Sequence, residues 1–422
     1  MDSRQSRRDF LRTAAGGMAA VAVPYVVGSP ALGAAEKVGA NDRLGVGIIG
    51  CGGISGWHLP WAIGHREVEV LAVCDVDTER RESAKERVGD RCTAHNVYRE
   101  VLDRDDIDAV MVLTPDHWHT LVSSDACEAG KDVYCEKPLT LTIAEGRQLV
   151  NTVRRYGRVL QTGSMQRSSW EFRLACELVR NGRIGKVHTV RVVIGGAPGG
   201  DYAPDEPPPP GLDWNLWLGP APWSPYNKLR HPYGFRWFYD YSGGKMTDWG
   251  AHHNDIAQWG LGMDDTGPVW IEGKGVFPTE GLYDVAMSFD ITYEYATGQK
   301  VLCSDSGRFG ITFEGDDGWV WVTRGDIETQ PKELRNEVFG TGDERLYFSP
   351  EHHENWLQCI HTRERPICDV EIGHRSVTLC HLGNISMRTG RKLHWDPAKE
   401  QFVDDEDANR WLSRPYRAPW HL

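Results

Sequence analysis

Four short apolar segments in the first third of the chain alternate with longer stretches of helical periodicity. The segments are residues 43–49, 68–74, 107–113 and 131–135. Short apolar runs are typical of strands buried on both faces, and strands that alternate with helices form parallel sheets. The pattern therefore predicts an α/β domain, built on a doubly wound parallel sheet, over residues 42–165.

Strand-like segments return in the second half of the chain. They are residues 187–194, 271–277, 287–295 and 318–323, which predict the strands of a second sheet. Helices are predicted from Glu351 and from Gly373, and residues 161–167 link the two halves. We expect a second domain over residues 166–400 and a packed C-terminal extension over residues 401–422.

Residues 1–35 have the composition of an export signal. Arg7 and Arg8 form a twin-arginine pattern, residues 14–27 are apolar, and small residues follow between 31 and 35. We expect export by the twin-arginine route, to the periplasm or otherwise out of the cytosol. A membrane anchor is the alternative, although 14 residues with two glycines and a proline are short for a bilayer span. No later segment is predicted to span a membrane.

Composition narrows the class of protein. With 40% hydrophobic and 25% charged residues, the 422-residue chain has an ordinary globular balance, which excludes disorder, collagen and coiled coil. The formal net charge of −13 disfavours nucleic acid and anionic lipid as partners, since both are repelled by an acidic surface. The ten cysteines form no CxxC pair and specify no disulfide.

A glycine-rich turn follows the first predicted strand. Gly50 and Gly52 start a G-x-G-x-x-[G/S] pattern, and its further members are Gly53, Ile54 and Ser55. Such a turn brings the backbone and a helix N-terminus close to a pyrophosphate. Asp75 ends the second predicted strand, where a carboxylate accepts hydrogen bonds from ribose hydroxyls and repels a 2′-phosphate. The pattern favours NAD as cofactor, while the nearby residues 80 and 81, both arginine, leave NADP possible.

Polar residues also follow the third and fourth predicted strands. Thr114, Pro115 and His119 come after residues 107–113, and Glu136 with Lys137 comes after residues 131–135. Ligands of open parallel sheets bind at the carboxyl ends of the strands. We therefore expect these side chains to surround the cofactor.

The chain resembles the Gfo/Idh/MocA oxidoreductases, the family of glucose–fructose oxidoreductase and inositol dehydrogenase. The resemblance rests on the glycine turn, on Thr-Pro-Asp-His at 114–117, on Glu-Lys-Pro at 136–138, and on the D-x-G-x-H-x-x-D pattern at 248–255. It covers most of the chain from about residue 42 onward.

The resemblance implies a Rossmann domain followed by an α+β domain with a mostly antiparallel open sheet, commonly used to form oligomers. A homo-oligomer, either dimer or tetramer, is expected. The family's lysine, here Lys137, helps to place the nicotinamide and the reacting hydroxyl, and the following Pro138 is often cis. The family's aspartate and histidine, here Asp248 and His252, line the substrate pocket.

The chemistry of alcohol oxidation points to the same residues. Removing hydride needs a base for the hydroxyl proton and a cation to stabilise the developing alkoxide. Asp248 and His252 share one face if their segment is helical, so the carboxylate would orient the imidazole. His252 is one candidate base and Lys137 is the second. A metal site built from 248, 252, 253 and 255 is disfavoured because no outlying ligand is evident.

Further substrate-binding candidates are Arg167, Trp237 and Asp255. Trp237 lies within residues 214–241, which hold ten aromatic side chains among prolines and glycines. Aromatic faces beside polar groups suit sugar rings. An inter-domain or subunit interface explains the same composition, and both interpretations stay open.

The expected function is an exported NAD-dependent oxidoreductase that acts on a hydroxyl of a sugar, glycoside or cyclitol. Two alternatives remain. One is a redox-neutral, NAD-dependent glycoside hydrolase that works through a keto intermediate. The other is a catalytically silent sugar-binding sensor of the same fold.

Overall fold

The computed structural model describes residues 43–422 of the chain. The predicted export signal at residues 1–35 lies outside the described residues. Residues 44–422 form one compact unit. Among the described residues, no helix combines the length and apolar character needed to cross a bilayer.

The first sheet has six parallel strands. They are β1 (Leu44–Ile49), β2 (Val68–Cys74), β3 (Thr93–His95), β4 (Ala109–Val112), β5 (Asp132–Cys135) and β6 (Leu160–Thr162). Their order is β3-β2-β1-β4-β5-β6, so the direction of winding reverses between β1 and β4. In such sheets the ligand lies at this reversal, outside the carboxyl ends of the strands. The predicted doubly wound sheet is confirmed.

Helices connect these strands and pack on the sheet. They are α1 (Ser55–Gly64), α2 (Thr78–Val88), α3 (Tyr98–Leu102), α4 (Asp116–Glu128) and α5 (Ile143–Tyr156). Their ends follow local rules. Helix α5 begins with a capping box between Thr142 and Glu145 and ends at Gly157 in the left-handed conformation.

The second sheet has nine strands. They are β7 (Val187–Val193), β8 (Trp270–Val276), β9 (Ser288–Glu294), β10 (Lys300–Ser304), β11 (Gly310–Gly315), β12 (Gly318–Thr323), β13 (Asp326–Gln330), β14 (Leu393–Asp396) and β15 (Gln401–Phe402). The order is β13-β12-β11-β7-β10-β9-β8-β14-β15, and within the described part of this second sheet only the pair β7–β10 is parallel. The mostly antiparallel open sheet that the family resemblance implies is confirmed.

The remaining helices cover the second sheet and close the structure. They are α6 (Trp170–Arg180), α7 (Trp214–Leu218), α8 (Lys245–Asp248), α9 (Gly250–Leu261), α10 (His352–Thr362), α11 (Val370–Thr389) and α12 (Glu406–Asn409). Short 3-10 helices span Met165–Ser168, Gly234–Trp237, Lys332–Asn336 and Arg410–Leu412. The alternating pattern of strand β9 explains why helices cover one face of this sheet. Phe289, Ile291 and Tyr293 are buried on that face, and the alternate positions face away from the core. The expected oligomer stays a prediction.

Segments from the end of the chain also pack on the first sheet. Trp356 of α10 is buried in the core beneath β1 and β4. In the C-terminal extension, the Trp420 ring meets Trp118 edge-on with centroids 4.8 Å apart, and Tyr416 Oη donates to Glu145 at 2.6 Å. The predicted domain boundaries stay a prediction. Residues near the C-terminal end of the chain nevertheless contact the first sheet and its helices.

Candidate active site

The turn after β1 is shaped by a close approach to β4. Gly50 has φ +99°, and a Cβ there would lie 2.6 Å from the carbonyl carbon and oxygen of Leu113. Only glycine fits such a position without strain. Ser55 Oγ donates to the Gly52 carbonyl at 2.6 Å, and Cys51 N donates to Asp75 Oδ2 at 2.7 Å. The turn is thereby tied to the acid that ends β2.

A cavity of about 490 Å³ opens beside this turn. Its floor includes the predicted cofactor residues Gly50, Gly52, Gly53, Ile54, Asp75, Thr114 and Pro115. Its other side is formed by Trp217, Arg236 and Trp420, which come from far along the chain. The cavity lies where the winding of the first sheet reverses, as a dinucleotide site requires.

Asp75 fits a dinucleotide ribose. Its Oδ2 accepts from Cys51 N at 2.7 Å and its Oδ1 from Asp77 N at 2.9 Å, so each oxygen keeps a lone pair for a hydroxyl donor. Burial raises the pKa of this carboxyl, and the two backbone N–H groups oppose that shift. The acid, the glycine turn and the cavity together suit NAD.

Glu136 and His119, two further predicted cofactor residues, hold the strand-end turns in place. Glu136 is buried and bonds His58 Nε2 at 3.0 Å. His119 contacts the Pro138 carbonyl through Nδ1 at 2.7 Å and the Thr114 carbonyl through Nε2 at 2.8 Å. The structure thus engages both side chains with protein groups, and their contact with a cofactor stays a prediction.

Lys137 lies at the centre of the candidate site. Its Nζ donates to Asp248 Oδ1 at 2.9 Å and to the Asp248 carbonyl at 3.1 Å, and the Lys137–Pro138 peptide is cis. Arg236 Nε lies 3.6 Å from the same Oδ1. Burial alone would raise the pKa of Asp248, but the charges of Lys137 and Arg236 hold that pKa below its ordinary value.

The structure changes the expected partner of Asp248. Helix α8 ends at this residue and α9 begins two positions later, so the aspartate and His252 do not belong to one continuous helix. The carboxylate binds Lys137, and no hydrogen bond joins it to His252 among the described residues. The expectation that Asp248 orients the imidazole is therefore wrong, because an ammonium competes more strongly for the carboxylate.

His252 is buried in the first turn of α9, 8% exposed, and its Nδ1 has no hydrogen-bond partner in residues 43–422. Burial lowers the pKa of His252 well below its ordinary value, and the charges of Lys137 and Arg324 lower it further. The imidazole is therefore neutral near pH 7, which is the state in which a histidine can accept a proton. The adjacent His253 instead bonds the Val193 carbonyl through Nδ1 at 3.1 Å.

Arg167 and Asp255 occupy a buried ion pair. The guanidinium, 1% exposed, contacts Asp255 through Nε and Nη2 at 2.8 Å each, and Asp264 at 2.7 and 3.0 Å. Asp255 is fully buried. Arg167 and Asp255 bind each other, and Arg167 also binds Asp264. Their predicted contact with a substrate therefore gains no support from this geometry.

The aromatic stretch at 214–241 forms a packed cluster. Seven of its rings are buried together, namely Trp214, Trp217, Tyr226, Phe235, Trp237, Phe238 and Tyr241. Trp237 is only 8% exposed, which leaves little of its ring for a sugar to stack on. The side chains of Trp217 and Phe235 also line the 490 Å³ cavity. The stretch is thus mainly a packed cluster that forms part of the cavity wall.

Two arginines near Lys137 were missed by sequence reasoning. Arg236 lies in the aromatic stretch, where it was one of several polar residues, and Arg324 follows β12 with no motif around it. No local signal marks Arg324. Arg324 reaches the site because it follows β12, which packs against α6, and its guanidinium lies over the Trp249 ring, a long-range arrangement that the sequence pattern does not encode.

Two protein-family models match the chain, one in each half. A model described as "Oxidoreductase family, NAD-binding Rossmann fold" matches residues 44–164, and one described as "Oxidoreductase family, C-terminal alpha/beta domain" matches residues 197–422. The chain belongs to the Gfo/Idh/MocA oxidoreductase family. Within this family it is an NAD-dependent oxidoreductase, in agreement with the Asp75 geometry.

Individual relatives match different shares of the chain. Myo-inositol 2-dehydrogenase of Thermotoga maritima is 29% identical over 366 residues, which is 82% of this chain and 97% of that protein. A glycosyl hydrolase family 109 protein of Shewanella pealeana is 30% identical over 169 residues, 36% of this chain and 37% of that protein.

Solved structures share the fold. The WlbA dehydrogenase of Bordetella pertussis, determined with NADH and UDP-GlcNAcA, superposes with a TM-score of 0.64 at 18% identity, covering 84% of this chain and 99% of that one. The aldose-aldose oxidoreductase of Caulobacter crescentus superposes with a TM-score of 0.61 at 20% identity, covering 83% and 99%.

Replacing Asp75 by Asn tests the cofactor assignment. The amide offers one acceptor oxygen instead of two and no charge, so we expect about tenfold weaker NAD binding and a smaller preference for NAD over NADP. Fluorescence titration with both nucleotides measures this. Asp90→Asn, at an exposed loop position, is the control. Unchanged NAD affinity in Asp75→Asn would argue against ribose binding by this acid.

Proposed function

We propose that this oxidoreductase oxidises a secondary hydroxyl of a sugar, glycoside or cyclitol. The observation that carries the proposal is the pairing of Lys137 with Asp248 at 2.9 Å near His252, which is neutral and whose Nδ1 has no hydrogen-bond partner among the described residues. This pairing supplies both requirements of alcohol oxidation, a fixed cation and a base. The substrate class is supported by the myo-inositol dehydrogenase that matches most of the chain.

The residues divide the work as follows. Asp248 fixes the Lys137 ammonium through its carboxylate and its carbonyl, so that the remaining N–H of Lys137 is directed to the substrate oxygen. That ammonium stabilises the developing alkoxide. His252 accepts the hydroxyl proton, because its low pKa keeps it neutral at pH 7. NAD, when bound, supplies the hydride acceptor.

Product analysis with the NAD-loaded protein tests the proposal. The protein is incubated with a panel of sugars, glycosides and cyclitols, with chromatography of the products and absorbance of reduced nicotinamide in the same tube. Keto product that rises with NADH supports the proposed oxidation. Bound nucleotide with no product from any member of the panel would instead favour a silent sensor.

A redox-neutral glycoside hydrolase is the second candidate. It is favoured by the glycosyl hydrolase family 109 proteins, which are 30–31% identical over 36–43% of this chain. The same experiment separates the two functions, since free aglycone without net NADH is the product of the hydrolase alone. This activity would also suit an exported protein, because NAD outside the cytosol is not resupplied.

The pH profile tests His252 as the base. Burial places its pKa well below 6.5, so the residue stays neutral and active down to that pH. We expect kcat/KM to be flat between about pH 8 and 6.5 and to fall only in more acidic solution, where the imidazole gains a proton. The variant His252→Asn should be about 100-fold slower and lose this acidic limb. An acidic limb that survives in His252→Asn would assign the base elsewhere.

A further inference from the structure

Positive charge is concentrated around Asp248. Besides Lys137 and Arg236, the charge of Lys245 lowers the pKa of this carboxyl, and Asp248 in turn acts on Arg324. Four cations therefore interact electrostatically with one aspartate in a protein whose formal net charge is −13. Cations gathered in one region of an acidic protein attract anions to that region in particular.

Two of these cations lie close to the Trp249 ring. The guanidinium carbon of Arg324 lies 4.7 Å from the ring centroid and Lys245 Nζ lies 5.7 Å from it. Among the residues that the structure describes, no carboxylate oxygen lies within 4.0 Å of a side-chain nitrogen of either cation, so neither forms an ion pair there. Arg324 is exposed and Lys245 half-buried, so both are accessible to a ligand.

The acids near this site are already engaged. Asp248 binds Lys137, and Glu136 is buried and bonds His58 at 3.0 Å. Asp116 is also buried, and its Oδ2 accepts from Ser242 Oγ at 2.5 Å. The charges of Arg324 and Lys245 are consequently not neutralised by direct contact with these acids.

The Arg324 fork is oriented by Gln166. With the Gln166 amide assigned in the orientation that satisfies both neighbours, its oxygen accepts from Arg324 Nε at 3.2 Å and its nitrogen donates to the His252 carbonyl at 2.9 Å. This contact uses Nε and leaves the two terminal nitrogens for a ligand. A planar pair of N–H donors matches the two oxygens of a carboxylate. The same glutamine links the arginine to the backbone of the proposed base.

We propose that the substrate carries a carboxylate, as a uronic acid or its glycoside does, and that Arg324 and Lys245 bind this group beside Trp249. The inference rests on the proposed function, because it names the substrate class of the same site. The carboxylate takes no part in the reaction. It holds the sugar so that a ring hydroxyl faces Lys137 and His252.

Matched pairs of sugars test this inference. We expect kcat/KM with D-glucuronate, D-galacturonate or their methyl glycosides to exceed that with the corresponding neutral sugars by at least about tenfold. The variant Arg324→Gln should lower the ratio of kcat/KM with the uronate to kcat/KM with the neutral sugar about 10- to 100-fold. The variant Lys245→Gln should also lower this ratio. D-glucose 6-phosphate is included because a phosphate also binds arginine.

Arg308 provides a matched control. It also stacks on a tryptophan, with its guanidinium carbon 3.4 Å from the Trp321 centroid, but Glu328 neutralises it at 3.0 Å. Arg308→Gln should leave the ratio unchanged. Neutral sugars oxidised as well as uronates, a preference for the sugar phosphate, or a ratio unaffected by Arg324→Gln would each overturn the carboxylate site.

Calorimetric titration of the NAD-loaded protein separates this inference from the proposed function. Tighter binding of D-glucuronate than of D-glucose, lost in Arg324→Gln, supports the carboxylate site even without turnover. In that case absent turnover of every sugar counts against the proposed oxidation alone. Oxidation of neutral sugars with no uronate preference leaves the proposed function intact and removes the carboxylate site.

Discussion

Replacing Lys137 by Met is expected to lower kcat about 10³-fold. The thioether has nearly the length of the lysine side chain but no charge, so the developing alkoxide loses its electrostatic partner. Asp248 simultaneously loses the ammonium that lies 2.9 Å from Oδ1 and keeps its weaker contact with Arg236 Nε at 3.6 Å. The first change affects the reacting oxygen, and the second affects Asp248, which holds Lys137 in place in the wild type.

Steady-state kinetics with the best sugar of the panel measures this loss, and fluorescence titration measures NAD affinity. We expect NAD binding to change much less than kcat, because the glycine turn and Asp75 are untouched. Lys274→Met, at an exposed position of β8, is the control and should behave like the wild type. A Lys137→Met enzyme with more than one-tenth of the wild-type kcat would remove this lysine from the chemistry.

Replacing Arg167 by Met is expected to destabilise the protein by about 3–5 kcal/mol. The change removes the cation from a fully buried Asp255, whose carboxylate then has no partner of opposite charge. Burial already raises the pKa of Asp255 against the effect of Arg167, so the unpaired acid would take up a proton at higher pH. The arginine also lies over Trp259, 5.1 Å from the centroid, and this contact is lost as well.

Urea unfolding monitored by tryptophan fluorescence reports this effect. The matched control is Arg183→Met, because Arg183 also contacts two acids, Glu337 and Asp343, at 2.7 Å each. That arginine is solvent-accessible, so its loss should leave the unfolding midpoint nearly unchanged. Equal midpoints for the two variants would show that burial adds nothing to the Arg167 cluster, and its assignment as a structural ion pair would fail.

The strands of the first sheet that carry the cofactor site could be predicted from the sequence. Strands β1, β2, β4 and β5 are apolar runs of four to seven residues, and the first three are followed by residues that line the cavity. Strands β3 and β6 were missed because each has three residues, too few for an apolar run to stand out. Residues 161 and 162, interpreted as part of a linker, belong to β6.

The second domain was less predictable. Strands β7, β8, β9 and β12 were found within one residue at every boundary, but β10, β11 and β13 to β15 were not. Strands β10, β13, β14 and β15 have five residues or fewer, too few for an alternating pattern to stand out, and β11 has a glycine at each end. The aromatic stretch was recognised by composition alone, and its packing into one cluster was seen only in the structure.

The sequence by itself determined the chemistry that is local along the chain. The glycine turn, Asp75, Thr114 with Pro115, and Lys137 each follow directly from a strand, so their arrangement at one edge of a parallel sheet follows from strand order. Only the tertiary structure decided how distant side chains pair. Lys137 meets Asp248 across 111 positions, and Arg167 meets Asp255 across 88. The physical reason is that the direction of a side chain is set by packing around it, which a pattern of neighbours along the chain does not specify.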